Sequence, residues 1–274
     1  MVGEKPTVSV LMGVYYRRKS IELLKESVSS ILNQSFSSLE LLICDDGSTP
    51  EAMAYLDEVS MGDSRVRCIR NGNWISLPTK LNACLAEARG EWIARMDDDD
   101  FSYSDRFKKQ LEHLTAHPEI SFVGCNVNLR QNNEFLGKRI LPEQPTVRDF
   151  YFVQPYIHPT LMFRKEVLLN VGGYSEEKSC ILCEDYDLLL RLYAAGYHGY
   201  NLQECLLDYT VSATAKGNRK MSHRWNEVVT RFHRFRELGV LPAALPYVMK
   251  PIIVGLIPEK LLYWMKEKRR HAQG

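Results

Sequence analysis

The sequence predicts an α/β protein with a doubly wound, mostly parallel sheet flanked by helices and a helical C-terminal extension. Three observations carry this expectation. Short apolar runs rich in β-branched residues end at residues 14, 44, 69 and 96, the pattern of strands buried on both faces. Segments with helical spacing separate them, and parallel neighbours need crossovers of that kind. The chain of 274 residues, 45% hydrophobic and 25% charged, is long enough for a substantial core and unlike a coiled coil, collagen or disordered chain.

Residues 7–14 (TVSVLMGV) are the first strand, and Ile21, Leu24, Val28, Ile31 and Leu32 lie on one face of the helix that follows. Leu39–Cys44, Val66–Ile69 and Trp92–Met96 are further strands, with helices over 50–60 and 76–89 between them. A helix at 103–117 stops before Pro118, and Ser121–Val127 reads as a strand. The stretch 128–160 is polar and proline-punctuated, with a hairpin around Leu136–Leu141. Thr160–Phe163 is a strand, a helix starts near Arg164 and stops at Gly172-Gly173, and another covers 184–195. A basic helix at 217–237 leads into an apolar end.

Charge and cysteine usage exclude some classes. Thirty-five basic against 34 acidic residues leave +1, without the basic excess of a nucleic-acid binder. The balance hides a division: residues 1–215 carry 22 basic and 30 acidic residues, net −8, and 216–274 carry 13 and 4, net +9. Seven cysteines, odd in number and mostly in apolar runs, are expected to be reduced, and the start MVGEKPTVSV lacks a signal-peptide pattern. The expected location is cytoplasmic.

Three acidic segments carry the chemistry. Asp45 and Asp46 follow a buried strand, so they face the crevice beyond the strand ends of a parallel sheet, although Asp-Gly-Ser is also ordinary turn chemistry. Asp97-Asp98-Asp99-Asp100 places four like charges after another such strand; a hard divalent cation is the natural neutraliser, with a solvated acidic loop as the alternative. Glu184-Asp185-Tyr186-Asp187 opens a helix, where acids either cap the dipole or, facing an occupied cleft, act as a general base. The chain lacks G-x-G-x-x-G after its first strand, a Walker A sequence, G-x-S-x-G and H-E-x-x-H. Dinucleotide oxidoreductases, P-loop NTPases, serine hydrolases and zinc proteases are therefore disfavoured.

VSVLMGVYY, LLICDDGST, the Asn73 to Asn82 stretch, ARGEWIARMDDDD, HPTLMFRKEVLLNVGGY and EDYDLLLRL occur in an order that resembles family 2 glycosyltransferases over roughly residues 6–210. The resemblance implies the GT-A fold, a Rossmann-like sheet, and inverting transfer of a sugar from a UDP-sugar. It implies that Tyr15 flanks uracil, that Asp46 with Asp45 accepts from the base, and that Asp97 or Asp98 reaches the ribose. It further implies that Asp99, with Asp97, ligates Mn2+ or Mg2+, and that Asp185 is the general base beside Glu184. Gly13 and Tyr16 stand where the family commonly has Pro and Asn, and Asp98 replaces a small residue. Lys80 and Arg95 are candidate phosphate contacts, His158 a candidate on the acceptor side, and Trp74 a candidate sugar platform, each against a packing or solvated alternative.

The expected organisation is a nucleotide-binding half at 1–100, an acceptor-binding half at 101–215, and a basic, apolar extension at 216–274. Val240–Pro258 carries one charge and four prolines, and Leu261-Leu262-Tyr263-Trp264-Met265 runs into Lys266-Glu267-Lys268-Arg269-Arg270. That pattern predicts peripheral membrane contact through 240–270, with helix packing on the core as the alternative. Such contact suits a polyprenol-linked glycan acceptor in cell-surface polysaccharide biosynthesis. The rival readings are a sugar nucleotidyltransferase and a non-catalytic nucleotide-sugar-binding module.

Overall fold

A computed structural model describes residues 5–18, 20–70, 76–132, 134–211 and 220–257. Its first half follows the predicted alternation: β1 (Val8–Val14), α1 (Glu22–Leu32), β2 (Leu39–Asp45), α2 (Pro50–Gly62), β3 (Val66–Arg70), α3 (Leu77–Glu87) and β4 (Trp92–Arg95). The second half continues with β5 (Phe101–Ser102), α4 (Arg106–Ala116), β6 (Phe122–Gln131), β7 (Glu134–Arg139), β8 (Met162–Arg164), α5 (Lys165–Asn170), α6 (Glu184–Ala194) and β9 (Gly199–Thr210). Helices α7 (Met221–Glu237), α8 (Leu241–Val248) and α9 (Lys250–Leu256) follow.

Among the described residues the strands form one nine-stranded sheet in the order β3-β2-β1-β4-β8-β6-β9-β5, with β7 paired to β6. β1, β2, β3 and β4 pair in parallel, and β8 joins antiparallel to both β4 and β6. The register places Val14 opposite Asp45 and Leu11 opposite Arg95, so Asp45-Asp46 and Asp97–Asp100 leave the sheet at the same edge. Both faces are covered. Val8, Val10, Met12 and Val14 pack with α1, α2 and α4, while Leu11, Leu42 and Ile93 pack with α3, α5 and α6. This two-sided burial explains the continuous apolar runs by which these strands are recognised.

Two strands escape the sequence reading. β5 is two residues long, and β9 is irregular. Its pairing with β6 steps from Cys125 opposite Leu202 to Asn126 opposite Cys205, which leaves Gln203 and Glu204 bulged out and exposed. A bulge destroys the period-two alternation that marks a strand. It also bends β9 so that its end reaches β5 (Phe101 opposite Asp208), beside the acidic run.

Helices α7 and α8 pack on what precedes them. Val228 and Phe235 of α7 are buried, as are Ala244 and Val248 of α8. Prolines break the apolar segment into two short helices, with Pro246 inside α8 and Pro251 near the start of α9. Among the described residues no helix is long and apolar enough to cross a membrane. The predicted Leu261–Arg270 cluster and Trp74 lie outside the described residues.

One buried carboxylate ties α7 to α6. Asp187 is fully buried and accepts from Arg191 Nε at 2.8 Å and from Arg234 Nε at 2.7 Å. Its removal leaves Arg191 partly buried without a carboxylate partner among the described residues, and Arg234 with Glu237 alone, at 2.8 Å. Asp187→Ala is expected to lower stability by about 2–4 kcal/mol, read from the urea midpoint; a loss below about 1 kcal/mol would show that the α6–α7 junction bears little load.

Candidate active site

The first acidic pair divides its work. Gly47, at φ +105°, turns the chain after β2 through a conformation that side chains disfavour. The turn lets Asp45 Oδ1 accept from Ser48 N at 3.1 Å and from the Ser48 hydroxyl, while its buried Oδ2 has no hydrogen-bond partner and lies 3.9 Å from Arg70 Nε. Asp46 accepts from Lys80 Nζ at 3.2 Å, and Lys80 also donates to the Val14 carbonyl at 3.0 Å. Lys80 is thus a buried partner of Asp46, placed by close approach of α3 to β1. A Cβ on Gly13 would come within 2.8 Å of Leu77, so glycine in place of the family's proline permits this packing. Tyr15 lies beside the pair, with Arg17 4.7 Å and Lys80 5.7 Å from its ring centroid. Tyr16 is core: it is buried, and its hydroxyl donates to the Ser20 carbonyl.

The four-aspartate run is held from three directions. Arg95, fully buried beneath it, pairs with Asp97 and donates to the Met96 carbonyl. Arg18, on the loop after β1, pairs with Asp99. Asp100 is buried and accepts from Thr210 N, at the end of β9, at 2.8 Å. Burial, with Asp99 and Asp97 adjacent, pushes the Asp98 carboxyl up to about 7; burial and Asp97 push Asp99 up to about 6. Asp100 is raised as well, and its buried Oδ2 has no hydrogen-bond partner. Crowded oxygen donors forced toward protonation fit a hard divalent cation. Among the described residues no three His, Cys, Asp or Glu side chains converge as a complete metal site. That donor set fits a cation whose coordination is completed by substrate phosphates and water.

Across a cleft of about 650 Å3, lined by both Asp97 and Asp185, stands the N-terminus of α6. Asp185 accepts from Tyr186 N at 2.8 Å and from Gln154 Nε2 at 2.9 Å. The sequence reading misses Gln154, which lies in the polar stretch where spacing carries no signal. Glu184 is buried; burial and the neighbouring Asp185 push its carboxyl up to about 7. His158 lines the same cleft, its Nε2 is 2.9 Å from the Tyr174 hydroxyl, and burial together with the Arg95 charge holds its pKa well below the usual range. It is therefore a neutral hydrogen-bonding group at neutral pH.

The family model described as "Glycosyl transferase family 2" matches residues 9–172, more than half of the chain. EpsE of Bacillus subtilis (strain 168) is 32% identical over 265 residues, covering 96% of this chain and 94% of that one. The Escherichia coli O-antigen biosynthesis glycosyltransferase WbnJ is 33% identical over 209 residues, covering 74% and 79%. The E. coli UDP-Gal:alpha-D-GlcNAc-diphosphoundecaprenol beta-1,3-galactosyltransferase is 25% identical over 240 residues, covering 86% of each chain. Among solved structures, the mannosyltransferase PcManGT from Pyrobaculum calidifontis, in complex with GDP-Man and Mn2+, superposes with a TM-score of 0.64 at 16% identity, covering 97% of this chain and 81% of that one. The shared fold is GT-A.

Glu184 gives a test by pH. Its carboxyl ionises near 4.5 in the unfolded chain and near 7 in the folded protein. As pH rises between these values the unfolded chain loses a proton that the folded protein keeps, so stability falls, and the cost is complete above about 7. Glu184→Gln is expected to stabilise the protein at pH 8 by on the order of 2 kcal/mol and to leave it unchanged near pH 4.5. Equal melting shifts at both pH values would contradict a buried, proton-holding Glu184.

Proposed function

The chain belongs to glycosyl transferase family 2 and is a glycosyltransferase, and on that premise we propose that it inverts configuration while moving a sugar from a UDP-sugar to a lipid-linked glycan in cell-surface polysaccharide biosynthesis. The observation that carries the reading is the convergence of acids from two strand ends at one edge of the sheet, with Asp185 across the cleft from Asp97. The donor and acceptor classes follow the E. coli galactosyltransferase, whose name gives UDP-Gal and a diphosphoundecaprenol-linked sugar. Family membership favours this over a nucleotidyltransferase or a non-catalytic module.

In this account Tyr15 flanks uracil and Asp46, steadied by Lys80, accepts from the base, with Asp45 shaping the turn. Asp97 or Asp98 takes the ribose. Asp99, with Asp97, would hold Mn2+ or Mg2+, and PcManGT was solved with Mn2+. When bound, such a cation neutralises charge on the departing diphosphate. Asp185, oriented by Gln154, takes the proton of the acceptor hydroxyl as its oxygen attacks the anomeric carbon and the bond to the UDP oxygen breaks. One displacement inverts the centre. Neutral His158 faces the acceptor sugar. Residues 1–100 form the nucleotide half, 101–215 the acceptor half, and 216–274 an extension that docks on the inner membrane face.

Asp185→Asn is expected to reduce transfer at least about a hundredfold while UDP binding, by calorimetry, stays at the wild-type value; transfer at the wild-type rate would remove Asp185 as base. For the tail, the full chain should co-sediment with phosphatidylglycerol vesicles more strongly than a chain ending at residue 257. Equal partitioning rejects docking through that segment.

A further inference from the structure

One cation at the site stands outside the packing. Arg95 lies fully buried beneath the acidic run, bound to Asp97 and the Met96 carbonyl, and Lys80 is buried between Asp46 and the Val14 carbonyl. Breaking either buried pair strands a buried charge. Arg18 differs. Its side chain is 42% exposed, and Asp99 is the only carboxylate within ion-pair distance of it among the described residues.

The backbone on both sides of that pair is anchored. The Tyr16 amide donates to the Ser48 hydroxyl at 2.8 Å and the Thr49 amide to the Tyr16 carbonyl at 3.0 Å, which ties the loop after β1 to the turn of Asp45-Asp46. The Ser27 hydroxyl of α1 donates to the Asp97 carbonyl at 2.7 Å, and Thr210 of β9 donates to the Asp99 carbonyl and the Asp100 carboxylate. What can move is the Arg18 side chain itself. An ion pair with this much solvent contact is weak, so breaking it costs little. Arg18 thus stands, loosely held, on the carboxylate assigned to the cation.

The same loop carries Tyr15, placed against uracil, three residues before Arg18. A diphosphate that joins a base at Tyr15 and Asp46 to a cation at Asp99 follows the loop from one end to the other. The Asp99 carboxylate and the phosphate oxygens would share one coordination shell. A guanidinium that gives up the first meets the second by turning about its own side-chain bonds, and its planar fork suits phosphoryl oxygens.

We propose that Arg18 is a displaceable counter-ion: it neutralises Asp99 in the donor-free protein, yields that carboxylate to the divalent cation, and then binds the donor's diphosphate. The proposal rests on the assignment of Asp99 to the cation and adds a phosphate-binding residue on the loop after β1. It gives Arg18 two effects of opposite sign. The side chain competes with the cation when no nucleotide is present, and it supports the nucleotide once the cation is bound.

Mn2+ alone is titrated into the full chain and followed by electron paramagnetic resonance; UDP is titrated calorimetrically at saturating Mn2+, where the competition no longer counts. Arg18→Gln is expected to bind Mn2+ about two- to fivefold more tightly than the wild type and UDP at least about tenfold more weakly. Arg17→Gln removes an equal charge one residue away, from a guanidinium that lies over the Tyr15 ring, and is expected to leave Mn2+ affinity unchanged. Melting temperatures check that each variant is folded. Mn2+ binding no tighter in Arg18→Gln, or UDP binding unchanged, overturns the proposal. So does an equal gain of Mn2+ affinity in Arg17→Gln, which assigns the effect to net charge. Weaker binding of Mn2+ and UDP together would make Arg18 a mere support for Asp99 and also overturn it. A wild type that binds UDP equally in Mn2+ and in EDTA, or not at all, would sink the cation assignment itself, whatever the variants do.

Discussion

Four carboxylates on consecutive residues, set at the end of a buried strand, must be compensated or protonated, and much of the architecture answers that constraint. Arg95 meets Asp97 from beneath, Arg18 reaches Asp99 from the loop after β1, and the backbone of Thr210 meets Asp100 from the end of β9. These partners come from three parts of the chain. The parallel half of the sheet and the bent β6–β9 ribbon must both be in place before the acids can be held together. Asp98 and Asp99 nevertheless remain pushed toward protonation, which is the electrostatic condition that a cation relieves.

The same logic of distributed compensation runs through the opposite wall. Asp187 is neutralised by one arginine on its own helix and one on α7, and Arg231 of α7 is buried against Tyr186, next to the proposed base. Helix α7 is therefore part of what positions α6.

Legibility from sequence tracked burial. β1, β2 and β4 are apolar on both faces, so their ends are visible, and with them the emergence of Asp45-Asp46 and Asp97–Asp100 at one edge. The division of labour within each acidic group is not visible. Asp45 is occupied by Ser48 three residues away, while Asp46 meets Lys80 across 34 residues, through packing that depends on Gly13. β9 is hidden by its bulge. Gln154, which donates to the proposed base, sits in an irregular segment where no periodicity marks it.

The central claim is that the acidic run and a divalent cation together bind the donor's diphosphate. Calorimetric titration of UDP into the wild type and Asp99→Ala, each with Mn2+ and with EDTA, tests it most directly. The account predicts binding by the wild type that needs Mn2+ and is lost in EDTA, and no gain from Mn2+ in the variant. Wild-type affinity that is the same in EDTA, or a variant that still responds fully to Mn2+, would contradict it.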